Sequence, residues 1–215
     1  MSRHAPDQSR LAARDVLGHP RGLYVLFATE VWERFSYFGN AALLVLYMVK
    51  HLLDPGRIEG VLGFAAVKAA LELILGRLDP QPLASQVFGL YTGLAYCTPI
   101  LGGMLADRVL GLRRTVILGG VLMAIGHFLM AFEALFLVAL VMLILGIGAF
   151  KPNISTQVGA LYPPADLRRD RGYSIFYVGI NIGAFLAPLV CGALAVQHGV
   201  GLLVEGGPEQ HHRGT

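Results

Sequence analysis

The sequence predicts an all-α membrane protein, a bundle of about five transmembrane helices. Hydrophobic residues make up 55% of the 215 residues, and only 14% are charged. A soluble domain carries about a quarter of its residues as charges. Five apolar stretches also reach the length of about 20 residues that a helix needs to cross a bilayer core about 30 Å thick.

The five predicted spanning helices cover residues 22–49, 86–106, 115–132, 134–162 and 173–196. The segment 54–82 separates the first two and contains IEGVLGFAAVKAALELILG, which is interrupted by Glu59, Lys68 and Glu72. We expect an extracytoplasmic loop there with an interfacial amphipathic helix. A sixth, charged spanning helix is the alternative, but it would reverse every later loop and place the later basic loops on the side of the membrane opposite to the N-terminal arm.

Basic residues predict the orientation of the bundle, because Lys and Arg collect on the cytoplasmic side. They cluster in the N-terminal arm 1–21 and in the loops after the second and fourth helices, as Arg3, Arg10, Arg14, Arg21, Arg108, Arg113, Arg114, Arg168, Arg169 and Arg171. The arm is therefore expected to be cytoplasmic. The positive charge of +3 is thus explained without nucleic acid, which we exclude as a partner.

The first predicted helix contains three charged residues, Glu30, Glu33 and Arg34, in an otherwise apolar run. One charge at the centre of a membrane helix costs about 2.5–3.5 kcal/mol on insertion scales. Spacings of three and four place all three on one helix face, where Arg34 can pair with either carboxylate. A proton or substrate relay facing an aqueous cavity explains them better than a charge cluster that only packs two helices.

Lys151 is a second intramembrane charge, within the segment LGIGAFKPNIS. Pro152 follows it and removes a backbone hydrogen bond, so a kink is expected, with Asn153 and Ser155 offering polar groups to the freed backbone. Lys151 is either a lysine that reaches the membrane surface or an ammonium group facing a cavity. The long apolar run before it favours the cavity.

The segment GGMLADRVLGLRR ends the second helix and forms the following loop. Gly103 and Gly111 are predicted to allow close approach and a tight turn. Asp107 and Arg108 are predicted to hold helix ends together. We interpret this segment as a conformational gating element.

The fifth helix carries GYSIFYVGINIGAF, in which Gly179 and Gly183 allow a neighbouring helix to approach closely. Asn181 lies between them, and both a helix contact and a ligand contact are open for it. Tyr37 and Tyr96 are either pocket-lining or ordinary packing residues.

No nucleophile–base pair, metal-ligand cluster or phosphate-binding loop is evident, so we expect no enzyme, metal site or cofactor. Cys97 and Cys191 are interpreted as buried small hydrophobic residues, and His127 as a core or simple polar contact. The tail 197–215 is expected to be disordered, with His211 and His212 incidental.

Four segments together resemble one transporter family. GGMLADRVLGLRR resembles the gating motif of the major facilitator superfamily, and ATEVWERFSYFG resembles the ExxERF motif of proton-coupled oligopeptide transporters. AFKPNIS and FYVGINIGAF resemble that family's fourth- and fifth-helix signatures. The resemblance covers about residues 18–192 and implies that 22–196 form part of the N-terminal bundle of a major-facilitator-type transporter.

The resemblance implies a role for each motif residue. Glu30, Glu33 and Arg34 would couple protons, while Arg34 and Lys151 would attract the carboxylate of a di- or tripeptide. Asn181 would bond the peptide backbone or amino end, and Tyr37 and Tyr96 would line the pocket. Phe38 stands where the family usually has a second tyrosine.

The function expected from this resemblance is symport of di- and tripeptides with protons across the lipid bilayer of the cytoplasmic (inner) membrane. Such transporters resemble two six-helix bundles that rock about a central site. With five helices, the chain is expected to be a truncated form that does not transport by itself. A non-transporting membrane protein that modulates an intact transporter is the alternative.

Overall fold

The computed structural model describes residues 15–54 and 56–197. A short hairpin, β1 (Asp15–Val16) and β2 (His19–Pro20), precedes six α-helices. The helices are α1 (Arg21–Tyr47), α2 (Phe64–Leu75), α3 (Pro80–Leu105), α4 (Leu112–Leu129), α5 (Phe136–Ala160) and α6 (Arg168–Gln197). The predictions for 1–14 and for the tail 198–215 fall outside the described residues.

The five long helices predicted from the sequence are all present, as α1, α3, α4, α5 and α6. Four of them, α3 to α6, are long and apolar enough to cross a membrane. The first, α1, has 27 residues, which is also a sufficient length. Its apolar character is interrupted by the charged residues Glu30, Glu33 and Arg34. The predicted all-α membrane bundle is confirmed.

The segment between α1 and α3 holds the short helix α2. With 12 residues, α2 is too short to span a bilayer. Phe64 and Leu71 are buried, while Leu73 on the opposite side of the helix is 88% exposed. This distribution suits the predicted interfacial helix, whose position at the membrane surface stays a prediction.

Helix α5 is the centre of the bundle, since α3 and α4 both pack along it, while α1 packs against α6. Glycines permit the closest approach. A Cβ at Gly102 would lie 2.0 Å from the carbonyl oxygen of Gly148, so the two helix backbones touch there. At Gly103 a Cβ would meet nothing within 4 Å. The prediction that Gly103 makes the close approach was therefore wrong, because Gly102 makes it. Neighbouring residues of an α-helix point in directions about 100° apart.

Two apolar clusters hold the helices together. One joins the end of α1 to α2, α3 and α5, with Met48, Leu52 and Phe64 fully buried. The other joins α1, α4, α5 and α6 near the opposite end, around Phe150 and Phe176.

Polar contacts tie the loops at each end of the bundle. At one end the carboxylate Oε1 of Glu133 lies 2.9 Å from both His51 Nε2 and Arg57 Nη1. At the other end Arg168 donates to Asp15 Oδ2 at 2.7 Å and to Asp166 Oδ2 at 2.9 Å. The second set fastens the hairpin to the loop between α5 and α6, so the start of α1 and the start of α6 lie at the same end.

Candidate functional site

The three charged residues of α1 form one buried cluster. Glu30, Glu33 and Arg34 are only 3%, 5% and 6% exposed. Arg34 Nε lies 3.1 Å from Glu30 Oε1 and also donates to Glu33 Oε2. The predicted pairing of Arg34 with either carboxylate is present, and it occurs with both at once.

A second cation lies beside this cluster. The Lys151 ammonium group of α5 is 4.6 Å from the ring centroid of Tyr96 and 6.0 Å from that of Tyr37. The Arg34 guanidinium carbon lies 5.5 Å from the Tyr37 ring. Distances near 6 Å or less allow attraction between a cation and an aromatic face. With the two carboxylates included, the structure therefore brings six predicted residues together from three helices: α1, α3 and α5.

Three polar atoms of the buried cluster make no hydrogen bond. Glu30 Oε2, Glu33 Oε1 and Arg34 Nη2 are buried and have no hydrogen-bond partner. An unpaired buried polar atom costs about 1–3 kcal/mol, and more when it is charged. Two carboxylate oxygens that can accept a proton thus lie next to a guanidinium nitrogen that can bind an anion.

Local sequence explains how α5 holds Lys151 in place. Pro152 cannot donate a backbone hydrogen bond. Asn153, which is 2% exposed, donates through Nδ2 to the Ala149 carbonyl at 2.8 Å and to the Gly102 carbonyl of α3 at 3.1 Å. The helix continues through the proline, which leaves the Gly148 carbonyl without its helical donor. Asn153 bonds the two other carbonyls instead, so its predicted contact with the freed backbone group is not formed. The side-chain amide also anchors α3 to α5 directly beside Lys151.

Asn181 is separate from this cluster. It is exposed on α6, and its Nδ2 donates to the Tyr177 carbonyl of its own helix at 2.9 Å. Gly179 and Gly183 pack against α1, and a Cβ at Gly183 would lie 2.7 Å from Arg34 Cβ. A residue midway between two such glycines points to the other side of the helix. Its predicted peptide contact stays a prediction.

The predicted gating segment begins at Gly102, beside Asn153, and continues to the junction of α3 and α4. Its last turn, Ala106–Leu110, is a π-helical turn, and Gly111 follows with φ 77°. Because only glycine adopts this conformation at low cost, the tight turn predicted there is present. Asp107 and Arg108 are exposed. Their role in gating stays a prediction.

One polar pair was not recognised from the sequence. Ser36 Oγ of α1 lies 2.5 Å from His127 Nε2 of α4, and His127 Nδ1 lies 2.7 Å from the Met123 carbonyl oxygen. His127 is exposed, so its interpretation as a core residue was wrong and the polar contact is present. Ser36 directly follows the ExxERF motif, and a single serine there carries no signal of a partner on another helix. Cys97 is also exposed, contrary to its predicted burial.

Within residues 15–54 and 56–197, no group of three or more His, Cys, Asp or Glu side chains is arranged to hold a metal ion.

Known proteins are similar to this chain in sequence and in fold. Residues 113–202 match the profile of the POT family. The chain is 44% identical over 181 residues to a di-/tripeptide transporter of Lactococcus lactis, and this covers 82% of the chain and 33% of that protein. It is 41% identical over 191 residues to the peptide transporter YePEPT of Yersinia enterocolitica, covering 86% of the chain and 34% of that protein.

A solved structure of a peptide transporter has a similar fold. The crystal structure of a peptide transporter POT in complex with sulfate superposes with a TM-score of 0.69 at 42% identity, covering 92% of this chain and 38% of that one. The resemblance to the POT family is confirmed. The chain spans about a third of the length of the curated POT-type relatives that it matches.

Proposed function

We propose that this chain provides the proton-coupling and carboxylate-binding part of a symporter that moves di- and tripeptides together with protons. The buried cluster of Glu30, Glu33, Arg34 and Lys151 carries this proposal. The peptide transporters that the chain resembles support the substrate class. Because the chain spans a third of those relatives, we propose that a second helical bundle completes the site.

The charges of the cluster suggest how coupling works. Two carboxylates and two cations balance when no substrate is bound. The carboxylate of an arriving peptide is attracted by Lys151 and by the unpaired Nη2 of Arg34. As Arg34 turns toward the peptide, Glu30 or Glu33 loses its partner and binds a proton more tightly. Substrate and proton then favour each other's binding, since such coupling is reciprocal.

We propose that the protein lies in the cytoplasmic membrane with the start of α1 on the cytoplasmic side. The basic residues Arg113 and Arg114 begin α4, and Arg168 begins α6 beside the hairpin. Placing this basic end in the cytoplasm follows the usual distribution of Lys and Arg. The unpaired oxygens of Glu30 and Glu33 would then receive protons that arrive from the opposite side.

The proposal is tested by grafting this chain in place of the matching third of the Lactococcus transporter. Cells expressing the chimera should accumulate a labelled dipeptide, and a protonophore should abolish the uptake. Lys151→Ala should lower uptake by about tenfold or more, because losing a charge-assisted contact to the substrate costs about 1.5–3 kcal/mol.

Lys68→Ala is the matched control, since Lys68 is in α2, outside the site, and this variant should keep full uptake. A chimera that reaches the membrane but takes up no dipeptide would contradict the proposed function. Normal uptake by Lys151→Ala would show that Lys151 does not contribute to binding of the peptide.

A further inference from the structure

A cavity of about 430 Å³ lies on one side of Glu33, between α1, α4 and α5. Its polar wall comes from α1 and includes Glu33, Ser36 and Asn40, and α4 contributes His127. Spacings of three and four residues place the three α1 side chains on one face of the helix. Lys151 and Tyr96 are not among the described residues that line it. The cavity adjoins the cation side of the site and shares Tyr37 with it.

The hydrogen bonds of His127 fix its tautomer when the ring is neutral. Nδ1 lies 2.7 Å from the Met123 carbonyl oxygen, which can only accept, so Nδ1 carries the hydrogen. Nε2 then accepts the hydroxyl hydrogen of Ser36. When the ring gains a proton, Nε2 becomes a donor, and the Ser36 hydroxyl must turn its own hydrogen toward another acceptor.

Glu33 offers such an acceptor on the same helix face. Its Oε2 pairs with Arg34, whereas its Oε1 is buried without a partner. Asn40 Nδ2, also in the cavity wall, is likewise unpaired. Most of the cavity lining is apolar, but its volume leaves room for water along the polar wall, where these unpaired groups can hold it.

Few other groups in the cavity can exchange protons near neutral pH. The titratable residues that face it are Glu33 and Tyr37 from α1, Tyr91 from α3 and His127 from α4. Helix α5 contributes only apolar side chains, Leu143, Ile147 and Phe150. Tyrosines ordinarily titrate near pH 10, so a carboxylate and an imidazole remain.

We propose that His127 and Ser36 form a proton relay that delivers protons to Glu33. His127 lies in the last turn of α4, at the end of the helix opposite Arg113 and Arg114. Its side chain is exposed on the outer surface of the helical bundle. In the relay the Nε2–H bond of His127 breaks as a new O–H bond forms at Ser36. The original hydroxyl proton of Ser36 passes to Glu33 Oε1, directly or over cavity water, and the imidazole returns to its neutral form.

This relay rests on the proposed function of Glu33, but its test needs no peptide transport. The 215-residue chain is reconstituted in lipid nanodiscs and subjected to a rapid drop in pH. The carboxylic acid C=O band of Glu33, assigned by its loss in Glu33→Gln, is followed by time-resolved infrared spectroscopy. We expect His127→Gln and Ser36→Ala to slow the appearance of this band by about tenfold or more, since positioned proton transfer is worth about 10²–10⁴ in rate.

Two further variants separate a relay from a purely structural contact. Ser36→Thr keeps a hydroxyl group and should restore the rate. His51→Gln removes a histidine at the loop contact with Glu133 and should leave the rate unchanged. Unchanged rates in both His127→Gln and Ser36→Ala would overturn the relay.

The failure of the relay can be told apart from that of the proposed function. A Glu33 band that forms at the same rate in all variants, with dipeptide uptake intact in the chimera, overturns the relay and leaves symport standing. Slowed band formation in a protein whose chimera takes up no dipeptide supports the relay and contradicts symport.

Discussion

At the scale of single residues, the site depends on where each side chain points around its helix. Glu30, Glu33 and Arg34 meet because their spacing keeps them on one face, and Asn181 is separate because its neighbouring glycines face α1. Gly102 and Gly103 also show that the direction around the helix decides which residue makes a contact. They are adjacent in sequence, yet only Gly102 touches α5.

The contrast between these two glycines gives a direct test. Gly102→Ala should destabilise the protein by about 1–3 kcal/mol, because the new methyl group would overlap the Gly148 carbonyl and force the backbones apart. Gly103→Ala should be neutral or stabilising by up to about 1 kcal/mol, since alanine is the better helix former. Unfolding titrations in detergent mixtures measure both. Equal destabilisation by the two variants would contradict the close contact.

At the scale of helices, the pairing of α1 with α6 positions the charged cluster. Gly183 lies against the backbone of α1, where a Cβ would come within 2.4 Å of the Val31 carbonyl oxygen. Arg34 lies at the same contact. A change in the distance between these helices therefore moves the residue on which both carboxylates depend.

We expect Gly183→Ala to separate α6 from α1, while Gly192→Ala, which has open space around it, should not. Cys191 reports on this movement because its sulfur lies beside Gly39 of α1. In a Cys97→Ser background, the alkylation rate of Cys191 should rise several-fold in Gly183→Ala and stay constant in Gly192→Ala. A constant rate in both variants would show that α6 has not moved.

Sequence reasoning predicted the long helices and the central cluster because both depend on local patterns. Apolar length defines a spanning helix, and charges such as Lys151 stand out against an apolar background. The contacts that were missed join distant parts of the chain. Ser36 and His127 are ordinary residues in their own helices. Only the assembly of the bundle brings α1 and α4 near enough for Ser36 Oγ to lie 2.5 Å from His127 Nε2.

Exposure was the other quantity that local patterns predicted poorly. Cys97 was taken as buried because its surroundings are apolar, yet in a membrane protein an apolar residue is as stable against lipid as against protein. Hydrophobicity therefore defined which segments enter the membrane but not which of their faces touch each other.

At the scale of the whole molecule, the hairpin 15–20 connects the start of the chain to the loop between α5 and α6. Arg168 makes the connection by donating to Asp15, to the Gly18 carbonyl and to Asp166. His19 Nδ1 and the Tyr162 hydroxyl add a contact at 2.8 Å. The first and last described helices are thereby held at a common end.

This connection should depend on pH in a defined direction. Hydrogen bonds from Arg168 lower the pKa of Asp166 below its ordinary value. The stabilisation is therefore complete above the ordinary aspartate pKa of about 3.9 and is lost as the pH falls through the lower, folded-state value. The wild-type hairpin should stay docked at pH 7 and at pH 5, and release only in stronger acid.

Spin labels at the exposed positions Leu17 and Leu167 would measure this docking. Wild type should give a narrow distance distribution at pH 7, and Asp166→Asn a broader one at the same pH. The two should become alike in strong acid. Asp170→Asn, which alters a nearby exposed carboxylate, is the control and should match the wild type throughout. A narrow distribution for Asp166→Asn at pH 7 would contradict the role of this carboxylate.

Trp32 is the chain's only tryptophan, and it lies in the wall of the cavity that holds Glu33, Ser36 and His127. Its indole is 73% exposed and stacks on Phe35 at a centroid distance of 6.0 Å. The protein thus contains its own fluorescent reporter, one residue before the carboxylate that we propose to be protonated. Changes in the wetting or charge of this cavity will shift its emission without any label being introduced.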